Sequence, residues 1–252
     1  LYGVYEDDDG VWDWDGKRLT ESNGDHWYEM NRTGDAYLSR SVSIGQESVK
    51  YYSVNSGLIK ELDLNHDKDG RYSWYHYGSQ FLNDGSFYCF DADGLHVFDK
   101  SGNKRYSIDK LVDDAEVNPN GDLVAIEFQT GEIEVWDLIN EKKVYTHSQK
   151  SDDEYGSPNF LKNGDLLIGR KGHFWIVKGG TTCGPKINGS MDWLFEERHF
   201  GIGLVYGDGS KNASVCNMYT GKVLRTYDKF ISFGEGAGVM LTQTKDGPFV
   251  VR

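Results

Sequence analysis

Short apolar runs recur along the whole chain, and each is ended within a few residues by Gly, Asn or Asp. Residues 117–138 show the pattern most plainly. A strand-like end at Val117 meets the turn residues Asn118, Pro119, Asn120 and Gly121. Leu123, Val124, Ala125 and Ile126 then form an apolar run, Thr130 and Gly131 a second turn, and Ile133, Val135 and Trp136 a third run closed by Asp137 and Leu138. Three strand-like runs joined by two tight turns predict an antiparallel meander. The windows 47–56 and 107–116 have the length of a helix but lack an apolar stripe at helical spacing, so little helix is expected.

The same pattern recurs before and after this copy. A preceding unit runs from Gln80, Phe81 and Leu82 through the turn Asn83, Asp84, Gly85 to a run ending at Phe98 and Asp99. Gly85 and Gly121 lie 36 residues apart, and Phe98 and Trp136 lie 38 apart, so two separate landmarks give one period. Further copies fall at residues 26–64, at 159–177 with the turn Asn163-Gly164, at about 193–227, and at 230–251; residues 2–19 read as a copy without its first strand. A period of roughly 40 residues holding four strand-like runs is a propeller signature. An open sandwich or two small barrels would not need that period.

Residues 117–138 also resemble one blade of a WD-repeat protein, in which a Pro-x-Gly turn, a hydrophobic strand, a second turn and a strand ending in Trp-Asp follow one another. The family's Gly-His dipeptide is absent from its place before the first strand. The expected fold is therefore all-β, a β-propeller of about seven four-stranded blades, with six or eight also fitting. Both terminal blades are incomplete, the first lacking its first strand and the last its fourth. The chain 1–252 is expected to be a single propeller domain, excised from a longer chain because it begins at Leu1.

A net charge of −13 and a pI near 4.9 argue against binding nucleic acid or an anionic membrane, both of which need a positive face, and favour a protein partner with a basic surface. Cys89, Cys183 and Cys216 are an odd set without C-x-x-C spacing, which suits free thiols in the reducing cytoplasm. Three N-x-S/T triplets, at Asn31, Asn188 and Asn212, point instead to an extracytoplasmic setting.

The resemblance implies that, within a blade lettered a to d from the channel outward, d–a and b–c connections share one face and a–b and c–d turns the other. Sorted this way, Asp7, Asp8, Asp9, Asp91, Asp93, Asp208 and Asp246 fall in b–c turns, with Asp67, Asp69, Asp113, Asp114, Asp152, Asp153 and Glu154 in d–a connections. Lys17, Arg18, Lys100, Lys104, Lys142, Lys143, Lys162 and Lys222 fall on the opposite face. Asp in a turn ordinarily caps backbone amides, but segregation by face predicts an acidic docking rim. The partner-binding candidates are Asp67, Asp69, Trp74, Tyr75, His76, Asp113, Asp114, Asp152, Asp153 and Glu154. Residues 65–70 resemble half of a calcium loop, yet its twelfth position is His76, which cannot supply the bidentate carboxylate, so an Asp-rich connection is the better reading and no metal site is expected. Trp12, Trp136, Trp175 and Trp193 read as packing residues.

No nucleophile elbow, phosphate loop or H-E-x-x-H is present, and the seven His are scattered singly. No catalytic residue and no cofactor is expected. The sequence thus favours a non-catalytic scaffold in a larger assembly, docking through an acidic loop face. The alternative is a carbohydrate-binding or hydrolytic propeller with carboxylates and aromatics at the channel mouth. A pocket in which two carboxylates meet an aromatic would favour the alternative.

Overall fold

The computed structural model describes residues 11, 18–20, 26–41, 48–64, 78–148, 158–161, 163–170, 173–188, 190–195, 202–206, 213–217, 220, 222–227, 229–234, 239–244 and 247–251. Among them every regular element is a strand. No helix among the described residues is long and apolar enough to cross a membrane. The chain divides into two compact units, one holding residues 1–130 and 134–144, the other 131–133 and 145–252.

In the first unit, β1 (His26–Met30), β2 (Ala36–Ser41), β3 (Ser48–Ser53) and β4 (Gly57–Leu62) form one sheet in that order. A second sheet is β5 (Ser79–Phe81), β6 (Phe87–Asp91), β7 (Gly94–Phe98) and β8 (Lys104–Ile108), and a third is β9 (Val112–Val117), β10 (Val124–Phe128), β11 (Glu132–Asp137) and β12 (Lys142–Ser148), of which residues 132–133 and 145–148 are counted in the second unit. Strands consecutive in the chain are neighbours in each sheet, so each sheet is a meander. Upstream, Leu19 N donates to Val11 O at 2.8 Å.

The second sheet is buried on both sides, which explains why every residue of β6 and β7 is buried. Its register pairs Phe87 with Phe98 and Cys89 with His96 on one face, Tyr88 with Val97 and Phe90 with Leu95 on the other. Phe87, Cys89 and Phe98 pack with Leu38, Val49 and Tyr51 of the first sheet. Tyr88, Phe90, Leu95 and Val97 pack with Val124, Ile126 and Phe128 of the third. Each such side chain removed from water stabilises the unit by roughly 1.5–3 kcal/mol. Burial also pushes the Cys89 thiol up, which keeps it protonated and unreactive.

The second unit repeats the arrangement. The fourth sheet is β13 (Pro158–Phe160), β14 (Leu166–Arg170), β15 (His173–Lys178) and β16 (Thr181–Asn188); the fifth is β17 (Ser190–Phe195), β18 (Ile202–Tyr206), β19 (Ala213–Asn217) and β20 (Lys222–Tyr227). The sixth has three strands among the described residues, β21 (Lys229–Gly234), β22 (Val239–Thr244) and β23 (Gly247–Val251). The neighbouring strands of these three sheets pair antiparallel.

Candidate functional site

One turn recurs in the first hairpin of four sheets. Gly34, Gly85, Gly121 and Gly164 N–H groups donate to the carbonyls of Asn31, Leu82, Asn118 and Leu161, three residues earlier in each case. Where the leading residue is Asn, its side chain closes the turn. Asn31 Oδ1 accepts from Asp35 N at 3.1 Å and its Nδ2 donates to Asp35 Oδ1 at 2.6 Å. Asn118 makes the same pair with Asp122, at 3.0 and 2.7 Å. The amide of the Asn31 sequon is therefore engaged in the fold. Where the leading residue is Leu, a later carboxylate or amide substitutes: Asp84 Oδ1 accepts from Ser86 N at 2.9 Å and Asn163 Oδ1 from Asp165 N at 3.0 Å.

These turns correct the expected segregation of charge. Asp35, Asp84, Asp122 and Asp165 lie in the first hairpins, Asp99 follows the third strand of its sheet and Asp137 ends that of the next, so the ends read as basic carry carboxylates too. The physical reason is the capping chemistry just described. Asp99 Oδ1 accepts from the backbone N–H groups of Asn103 and Ser101, at 2.9 and 2.8 Å, and the former holds its carboxyl below the usual range. Asp137 accepts from Asn140 N at 2.9 Å.

In the first unit three of these turns lock together. Arg32 donates through its two terminal nitrogens to Asn120 O at 2.9 Å and Pro119 O at 2.5 Å, and Asn83 N donates to Gly121 O at 2.8 Å. Gly121 has φ +76°, and a Cβ there would come within 3.1 Å of both Arg32 Cζ and Asn83 Cβ, so the junction is shaped for glycine.

Beside this junction a cleft of about 410 Å³ opens between the first and second sheets, with Asp35, Asp84, Tyr51, Ile59 and Lys100 among its lining residues. Ile59 reaches it because β4 bulges. Tyr51 pairs with Lys60 and Tyr52 with Leu58, which leaves Ile59 as the extra residue, turned toward the cleft. The Tyr51 hydroxyl donates to Lys100 O at 3.0 Å. Its ring centroid lies 4.9 Å from that of Phe87 and 6.2 Å from that of Phe81, so the ring belongs to the core. Thr33 Oγ1 and Asn31 Nδ2 hydrogen bonds hold the Asp35 carboxyl below its ordinary value. Burial, then the charges of Asp35 and Asp99, push the Tyr51 hydroxyl up.

Two buried polar networks escaped the sequence reading. His96 Nε2 meets Asp91 Oδ1 at 2.8 Å and its Nδ1 meets Ser107 Oγ at 2.9 Å, across β6, β7 and β8. The signal was a His inside a continuous apolar run, which needs partners. Glu134 is the second. Its side chain is 1% exposed, and it accepts from Lys110 Nζ and Lys143 Nζ, both at 2.9 Å, and from Trp136 Nε1 at 2.7 Å. Burial raises the Glu134 pKa, but the three donors outweigh it and leave the carboxyl lowered. Trp136 packs against the core as expected.

Of the sequence-derived candidates, Asp113 and Asp114 fall inside β9 rather than in the connection before it. Asp114 Oδ1 accepts from Ala115 N at 2.8 Å. Its charge, with those of Glu116 and Glu29, adds to burial in pushing the Tyr88 hydroxyl up. Asp67, Asp69, Trp74, Tyr75, His76, Asp152, Asp153 and Glu154 lie outside the described residues, as do the calcium-like segment and Trp12; of Trp175 and Trp193 only the strand placement is described. Among the described residues no group of three or more His, Cys, Asp or Glu is placed to hold a metal ion.

No family model and no curated protein matches the chain. Among solved structures it is similar to the computationally designed protein Ika8, with a TM-score of 0.59 and 17% identity over 99% of this chain and 79% of that one. It is also similar to the C-terminal WD40 domain of Sif2, with a TM-score of 0.56 and 14% identity over 89% of this chain and 63% of that chain. At such identities the likeness is one of fold: all-β, built of four-stranded antiparallel sheets like those of a WD40 domain.

Proposed function

We propose that the chain is a non-catalytic propeller of about seven blades, a single domain that serves as a protein-interaction scaffold and docks a basic partner through its acidic loops. The observation that carries this reading is the locked turn junction. Arg32, Asn83 and Gly121 fix three hairpin turns of successive sheets against one another, which supplies a rigid, polar surface of the kind a partner can bind with little ordering cost. The fold likeness to a WD40 domain supports it. Net charge −13 supports a cationic partner and a salt-sensitive encounter.

The test is affinity capture from the native cell at low and high salt, using the chain and a variant with Asp67, Asp69, Asp152 and Asp153 reversed to Lys. A specific partner, lost with charge reversal, is the expected result. Capture that survives reversal removes those loops from the interface, and failure to capture any specific protein removes the scaffold reading.

The alternative, a glycan-binding or hydrolytic site, has one observation in its favour: Asp35, Asp84 and Tyr51 line one cleft. The Tyr51 ring is packed against Phe81 and Phe87, however, and does not offer the face on which a sugar stacks.

A further inference from the structure

We infer that Arg40 anchors an anion site at one end of the packing between the first and second sheets, and that its ligand is a carboxylate gripped by the guanidinium. The inference stands apart from the scaffold reading, since it concerns a cation and not the acidic loops. Arg40 lies near the end of β2 and pairs with Val49 of β3, so its side chain leaves the sheet on the same side as Val49. That side packs on Phe87 and Cys89 of the second sheet. Arg40 Nε is buried with no hydrogen-bond partner, although the residue as a whole is only part-buried. Among the described residues its guanidinium makes neither a hydrogen bond nor an ion pair.

A guanidinium withdrawn from water costs stability unless an anion meets it, and this chain has 40 carboxylates to draw on. Cations elsewhere in the unit do find partners: Arg105 in Glu141, Lys110 and Lys143 in Glu134, and Arg32 in the Pro119 and Asn120 carbonyls. Gly34 precedes Arg40 by six residues as Gly85 precedes Asp91, so the second sheet carries a carboxylate where the first carries Arg40. That carboxylate is engaged in its own sheet, by His96 Nε2 and Asp93 N, both at 2.8 Å. The side chain whose ionisation bears on Arg40 is Cys89, and burial keeps the thiol protonated, so it supplies no counter-charge. Burial also lowers the Arg40 pKa, yet a guanidinium remains charged at neutral pH.

The donor selects the ligand. Nε–H and one terminal N–H of a guanidinium point the same way and match the two oxygens of an oxyanion, a fit that an ammonium or a lone hydroxyl lacks. In the field of a chain of net charge −13, a singly charged carboxylate is repelled less than a phosphate, which carries nearly two charges.

The test is titration of the full chain, labelled with nitrogen-15, with sodium acetate, with inorganic phosphate and, as the reference for ionic strength, with sodium chloride. Acetate is expected to move the Arg40 Nε–H resonance in a saturable way and to raise the melting temperature, while chloride at equal ionic strength does neither. Arg40→Lys, which keeps the charge and loses the paired donors, weakens acetate binding about tenfold. Arg40→Met keeps an aliphatic stem and abolishes the acetate effect. In chloride it melts no lower than the parent, because it removes a buried charge that the fold does not pair. Melting of Arg40→Met well below the parent in chloride would show that the guanidinium is already satisfied within the fold, which overturns the proposal. An Nε–H resonance indifferent to acetate, an acetate effect that survives in Arg40→Met, or phosphate bound more tightly than acetate overturns it as well.

Discussion

At Gly121 a single missing Cβ lets three turns meet. Replacement by Ala forces a left-handed backbone onto an L side chain and drives it against Arg32 and Asn83, each 3.1 Å away. Gly121→Ala is expected to lower stability by about 2 kcal/mol, since strain of this kind costs of order 1–3, as measured by urea unfolding at neutral pH. Arg32→Ala leaves Pro119 and Asn120 carbonyls at the surface, where water replaces the guanidinium, so its cost is smaller, about 1 kcal/mol. An equal loss in the two variants would show that the junction depends on the charge and not on the close approach. Glu134 follows a different logic. Removing one partner from a buried ionic group strands the rest, so Glu134→Ala costs about 3 kcal/mol, whereas Lys110→Ala or Lys143→Ala alone leaves a second cation in place and costs under about 1. Urea midpoints of the three variants check the ranking.

Among the elements, stability is set by how many faces of a strand are covered. Every residue of β6 and of β10 is buried, while five of the six residues of β4 are exposed. Native-state hydrogen exchange is expected to follow that order, with the amides of β6 and β10 exchanging slowest in the first unit and those of β4 and β8 fastest. Slow exchange along β4 would mean that this edge is covered in solution. The same difference explains what the sequence disclosed. Strands β2, β6, β10 and β14 were legible because burial imposes apolar residues and the hairpin imposes Gly at each turn. The outer strands β8 and β16 were not, since an exposed edge such as Lys104 to Ile108 needs no apolar alternation. The segregation of charge by face was overdrawn for a related reason: Asp35, Asp84, Asp122 and Asp165 are tied into hairpin turns, and a turn carboxylate looks the same in sequence as a docking charge. The cleft was illegible because Asp35, Ile59, Asp84 and Lys100 come from four turns and strands of two sheets, and no spacing in one chain announces such a meeting.

On the scale of the whole chain, 40 carboxylates against 27 Lys and Arg make acid the decisive perturbation. Among the described residues three carboxyl groups have pKa values lowered by folding: Asp35 through Thr33 and Asn31, Asp99 through the Asn103 and Ser101 N–H groups, and Glu134, against the opposing effect of burial, through its two lysines and Trp136. A folded pKa below the unfolded one means that the unfolded chain takes up protons first as pH falls. The stability these groups contribute is therefore complete above the unfolded values of about 4 and is lost as pH drops through the lower folded values. The urea midpoint is expected to stay level from neutral pH to about pH 5 and then to fall steeply. Glu134→Gln, which cannot titrate, starts lower than the parent at pH 7 and converges on it near pH 3, while a substitution away from any charge, such as Leu58→Thr on exposed β4, runs parallel to the parent throughout. Should the Gln variant also run parallel, Glu134 would be shown to titrate alike in the folded and unfolded chain, and its lysine clamp would contribute nothing to acid sensitivity.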